Sequence, residues 1–131
     1  MFKHEMTYLD FNGDERKETF YFHLSVPEAT RIETEIKMPI GNYARHLVEQ
    51  SDIDTLVKFL ERIVLTSYGE KSADGRVFKK TQEIRESFEY SQAYAELFEK
   101  LLLDQEFALA FGEGIAKGSR PNRQVAAEVA N

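Results

Sequence analysis

TYLDFNGDERKETFYFHLS, residues 7 to 25, is the stretch that decides the fold. Asn12-Gly13 at its centre is the strongest short-range signal for a β-hairpin, because both residue types accept the positive φ angles of a tight primed turn. Upstream, Phe2, His4, Met6 and Tyr8 recur at every second position, with Leu9 as a loose addition. Downstream, Glu18 to Leu24 sets Phe20, Phe22 and Leu24 on one face against Thr19, Tyr21 and His23 on the other. A lone hairpin is only marginally stable in water, so the aromatic face has to pack on the chain's own helices or on a partner.

Beyond the hairpin the chain reads as helical. Ser25 is a cap, Pro27 suits a first turn, and Glu28 places an acid at the positive end of the helix dipole. This helix runs through Ala29, Ile32 and Ile36 and stops before Pro39, with 37–42 as a connector and Tyr43 to Gln50 as a short second helix. After the Ser51-Asp52 cap, apolar residues fall at Ile53, Leu56, Val57, Leu60, Ile63, Val64 and Tyr68, the one-sided stripe of an amphipathic helix. Gly69 is the expected C′ glycine that ends it. Thr81 and Ser91 cap two further helices, one turning Ile84, Phe88 and Arg85 inward, the other carrying Tyr94, Leu97, Phe98, Leu101 and Leu102. After a break at Asp104 or Gln105, Phe107, Leu109, Ala110 and Phe111 continue the apolar signal to Gly112 and Gly114. The expected fold is α+β: an antiparallel N-terminal hairpin packed on a mainly helical bundle. Residues 1–116 form the domain and 117–131 a flexible tail, locally basic through Lys117, Arg120 and Arg123.

The composition narrows the function. The chain has 131 residues, the size of one domain, and is 42% hydrophobic, enough for a real core. Cysteine is absent, which excludes disulfides and thiolate metal sites. A net charge of −6 makes general nucleic-acid binding a poor default. No stretch approaches the roughly 20 apolar residues of a membrane span, and no signal peptide is visible, so a cytoplasmic protein is expected.

No catalytic constellation emerges, and no cofactor is implied. His4, His23 and His46 have no metal-ligand spacing, although His4 and His23 could face each other across the hairpin. The serines sit at expected caps and loops, and the paired carboxylates, such as Glu33 and Glu35, fall on polar helix faces. SYGEKSADGRVFKK, residues 67 to 80, has two glycines and four basic side chains, Lys71, Arg76, Lys79 and Lys80. It comes after a helix rather than a strand and lacks phosphate-loop spacing. It reads instead as a joint between helices, with a turn at Asp74-Gly75 and a buried Val77-Phe78 pair as anchor. Its basic tip is a candidate partner contact.

Three motifs together resemble a family of phage tail assembly chaperones: Phe11-Asn12-Gly13 with the aromatic strand after it, the joint from Leu65 to Phe78, and the helix from Ser91 to Phe98. The resemblance covers about residues 7 to 115. It implies a non-enzymatic protein of the host bacterial cytoplasm, absent from the mature virion. Such a protein binds the tape-measure protein of a long non-contractile tail and keeps it soluble. It also implies self-association and a longer frameshifted form. The corresponding partner-binding or self-association candidates are Phe20, Phe22, Leu24, Lys71, Arg76, Phe78, Leu101, Phe107 and Phe111. The competing readings are a structural tail or head–tail connector subunit, whose hairpin would donate strands to neighbours, and a small ligand-binding module or enzyme, for which the sequence supplies no convergent polar set.

Overall fold

The computed structural model describes residues 1–116; the tail expected over 117–131 lies outside the described residues. The chain opens with β1 (Phe2–Leu9) and β2 (Glu15–Phe22), paired antiparallel in an unbroken register from Phe2↔Phe22 to Leu9↔Glu15. The return strand therefore begins three residues earlier than the alternation suggests and ends at Phe22, with Leu24 buried beyond it. The turn is also longer than an Asn-Gly pair. Residues 10–14 form the loop, and of these only Gly13 takes a positive φ, +83°. Asp10 fixes the loop: its Oδ1 accepts from the backbone N–H of Asn12 at 2.9 Å and of Asp14 at 3.0 Å, and its Oδ2 meets Arg16 Nε at 2.7 Å. Backbone bonds close the same loop, from the Asp10 N–H to the Asp14 carbonyl at 2.9 Å and from the Gly13 N–H to the Asp10 carbonyl at 3.0 Å.

Two backbone hydrogen bonds tie the end of the hairpin to the helices. The His23 N–H donates to the Ser67 carbonyl at 2.8 Å, and the Leu24 N–H to the Ile115 carbonyl at 2.7 Å. Helix α1 (Val26–Ile36) begins as expected, with a reciprocal capping box between Ser25 and Glu28. Lys80 reaches back to the same carboxylate at 2.7 Å. Helix α2 (Ile40–Glu49) starts earlier than the sequence suggests. Pro39 at its N-cap has no capping side chain, and the acceptor comes from the buried Glu33, whose Oε2 takes the Ile40 N–H at 2.8 Å. A cap supplied from seven residues upstream leaves no local signature.

Helix α3 (Ile53–Ser67) buries Leu56, Leu60, Ile63 and Val64 of the stripe read from the sequence, leaves Val57 half-buried and Ile53 exposed, and also buries Phe59, which that stripe did not include. Its end corrects the sequence reading. Gly69 is not a left-handed C′ residue; it lies inside β3 (Tyr68–Lys71), paired with Tyr21 of β2. The stretch read as a joint is a second hairpin, β3 and β4 (Phe78–Lys79), which completes a sheet of order β1-β2-β3-β4. Its turn is as expected, with Gly75 at φ +77° and Asp74 Oδ1 accepting from the Arg76 N–H at 3.0 Å. Val77, expected in the core, is exposed, because only Phe78 of the pair turns inward. Glycine is required at 69 by space, since a Cβ there would lie 2.6 Å from the Phe78 ring and 2.8 Å from the Lys79 carbonyl.

Helices α4 (Gln82–Glu89), α5 (Gln92–Leu103) and α6 (Gln105–Ile115) complete the domain. Each has a side-chain cap: the expected Thr81 and Ser91, and Asp104 for α6. Arg85 is exposed rather than inward-facing. The core is built around Phe22, which has no exposed surface and contacts the rings of Tyr68, Phe88 and Phe111 at 5.7, 5.7 and 5.2 Å. The hairpin face is thus covered by the chain's own helices.

Gly69→Ala is expected to lower stability by about 3 kcal/mol, the upper end of overpacking costs. Gly75→Ala, in open space but at positive φ, should cost only about 1 kcal/mol. Urea midpoints of the two variants check this, and equal losses would remove the steric account of Gly69.

Candidate functional site

Helix α6 carries two glycines in its last turn, Gly112 and Gly114, a residue type disfavoured in helices relative to alanine. Both lie at crossings. A Cβ on Gly114 would come 2.7 Å from the Phe2 ring, too close to be accommodated in place. Gly112 faces the Gly41 Cα of α2, which a Cβ would meet at 3.7 Å, so the two helices pass backbone to backbone. Beside this glycine contact opens an apolar groove of about 260 Å³, walled by α2, α3, the end of α5 and α6.

The floor is core. Ile40, Leu56, Leu60, Ile63, Leu101 and Phe111 line the groove with their remaining surface and are otherwise buried. The rim is apolar and open to water: Val48 of α2 is 44% exposed, Leu102 43% and Leu103 78%. The Leu101-Leu102-Leu103 run explains this rim. Successive residues on a helix point about 100° apart, so one inward leucine leaves its neighbours outside the core. Asp104 then holds them there by capping α6, its Oδ1 accepting from the Phe107 N–H at 3.0 Å and ending α5 in the same residue. Only two polar side chains line the groove, Arg45 and Gln105. The volume is below the roughly 300–1,000 Å³ of small-molecule sites, and the convergent polar groups that orient such a ligand are missing. The groove suits apolar side chains presented by another chain.

The residues singled out from the sequence separate into four groups. Phe20, Phe22 and Leu24 are inside the core. The condition for self-association through that face, that the helices leave it uncovered, is therefore not met. Leu101 and Phe111 are also buried but contribute to the groove floor. Lys71 and Arg76 stand exposed on the second hairpin, with Phe78 half-buried against Gly69 and edge-on to His23. Phe107 lies with Phe2 and His4, ring centroids 5.8 and 4.9 Å away, under the Lys100 ammonium at 4.5 Å. The sequence reading missed Arg45, Val48 and Leu103. The leucine run was a usable signal for Leu103; Arg45 and Val48 lie on a helix whose start was itself hidden.

His4 and His23 do not face one another, since His4 pairs with Phe20 and His23 lies past the end of β2. Among the described residues no three His, Asp or Glu side chains are placed to hold a metal ion, and no helix is long and apolar enough to cross a membrane.

A hairpin and helical bundle with an open apolar groove suit a protein that holds other chains. A family model described as phage tail assembly chaperone matches residues 1–116, and the chain belongs to that family. No curated protein and no solved structure matches it.

Both hairpin histidines bind their protons less tightly than the ordinary value of 6.5. For His4 the cause is burial, then the Lys100 charge; for His23 it is burial, with nearby positive charge adding to it. The unfolded chain therefore binds more protons than the folded one just below pH 6.5, and stability should fall as pH is lowered through that value. Urea midpoints on either side of it check the slope, which should flatten in the His4→Gln, His23→Gln double variant.

Proposed function

We propose that this protein binds the tape-measure protein of a long non-contractile phage tail and keeps it soluble until the tail tube forms around it. Family membership supports the chaperone role and a non-enzymatic one. The observation that carries the client reading is the groove: a continuous apolar floor with Val48, Leu102 and Leu103 held at its rim in water. An amphipathic client helix laid into it covers those side chains and its own stripe together, in the mode of helix-in-groove recognition. Burying a leucine contributes about 1.5–3 kcal/mol, so a few such contacts give capture that the growing tail can reverse. The net charge of −6 keeps the loaded complex apart from other copies. In this reading the protein works in the host cytoplasm, is absent from the finished particle, and has a longer frameshifted form whose gene contains a slippery heptanucleotide.

One observation favours a second reading, a structural tail or connector subunit. β1 is an edge strand of eight residues with no bulge, an open template for a neighbour's strand and so also for self-association. Proteomics of purified particles separates the two: stoichiometric presence in the virion supports the structural subunit, and absence supports the chaperone.

Co-expression with the tape-measure protein tests the groove. Leu103→Asp is expected to weaken binding about tenfold to a hundredfold and return the client to the insoluble fraction, with folding stability within about 0.5 kcal/mol of wild type because the site is solvent-facing. Lys71→Glu with Arg76→Glu should leave binding unchanged. The opposite pattern would move the client seat to the tip of the second hairpin.

A further inference from the structure

We infer that the groove selects a client helix that carries a carboxylate beside its apolar stripe, and that Arg45 reads that carboxylate. The inference rests on the groove being the client seat and adds the chemistry of what it accepts.

Arg45 is the charged side chain in the groove lining; the other polar contributor, Gln105, is neutral. It is exposed, and sits on α2 four residues after Gly41 and three before Val48, so all three share the helix face that forms the wall. An arginine so placed lays its aliphatic stem along apolar surface and keeps its guanidinium at the water boundary. Elsewhere on the surface, Arg16 is held by Asp10 and Arg62 by Glu35, each at 2.7 Å. The Arg45 side chain makes no hydrogen bond or ion pair within the described residues. Glu49, one turn along the same helix, does not engage it.

A client helix that fills the groove removes water from one side of this guanidinium. Without a partner the charge then loses solvation and gains nothing. A carboxylate at the flank of the client's stripe restores it, with the fork geometry that arginine offers to planar acids. A lysine in that place adds like-charge repulsion to the lost solvation. The sign is opposite to that of the molecule as a whole: a chain with net charge −6 attracts basic segments in general, while its groove prefers an acidic one. Specificity of this kind comes from the rejected partner as much as from the accepted one.

The test uses the full chain and two designed peptides of about 20 residues, long enough to be helical. They have the same leucine stripe, flanked by glutamate in one and lysine in the other, and binding is read by fluorescence anisotropy. The wild type should prefer the glutamate peptide about fivefold at low salt and lose the preference at high salt. Arg45→Gln should bind both equally, and Arg45→Glu should reverse the order. Leu103→Asp should weaken both about tenfold. Equal binding of the two peptides by the wild type, with Leu103→Asp still weakening both, overturns the role of Arg45 and leaves the groove as the seat. Binding that Leu103→Asp does not change overturns the seat itself. Failure to bind either peptide, together with a concentration-dependent dimer that Leu103→Asp dissociates in light scattering, overturns the client reading and assigns the groove to a second copy of this chain.

Discussion

Everything in the molecule converges on one ring. Phe22 has no exposed surface, and its contacts come from the start of β3 through Tyr68, from α4 through Phe88 and from α6 through Phe111. It is also the last residue of β2, and immediately after it two backbone hydrogen bonds tie the chain to Ser67 and Ile115. A two-stranded ribbon has little stability of its own. Here it is stable because one aromatic at its root is enclosed by partners from a neighbouring strand and two helices. In return the helices gain a common point of attachment that none of their own short loops provides.

That enclosure places demands on its neighbours that small residues meet. β3 must leave α3 without a turn and run straight into the sheet beside β2, which brings Gly69 under Phe78. α6 must pass close to Phe2 and to α2, which puts Gly114 and Gly112 at the crossings. Each glycine costs helix or strand stability. The cost is offset by close approach, and the close approach of α2 to α6 is what brings the groove walls into one site.

Much of this was legible in the sequence, and the reason is locality. The hairpin, the α3 stripe and the caps at Ser25, Asp52, Thr81 and Ser91 are patterns within a few residues of one another, where periodicity and side-chain chemistry speak directly. The hidden features depended on distant partners. Gly69 came after a helix and looked like its terminator; only the Phe78 ring, nine residues on, shows why no side chain fits. The start of α2 depended on Glu33 in the preceding helix. The aromatic strand was legible as a sticky face but not as a covered one, since Phe88 and Phe111 cover it from 66 and 89 residues beyond Phe22. The candidate site suffered most: Phe20, Phe22 and Leu24 attracted attention by being apolar, and they are apolar because they are core.

The distinction matters for what a chaperone surface can be. A residue that holds the domain together cannot also be lent to a client, because exposing Phe22 would unfold the hairpin root. Client contacts must come from apolar side chains that the fold can leave in water, and the leucine run shows how such residues arise. Leu101 satisfies the core, Asp104 stops the helix just after Leu103, and the two outer leucines are left on a rigid support beside a floor that is already apolar. The surface is pre-organised, so little ordering entropy is lost on binding. It is also small, so no single contact set is strong enough to become permanent. On the proposed reading, retention long enough to prevent aggregation and release when the tube assembles would both follow from a groove that is small, apolar and left partly in water.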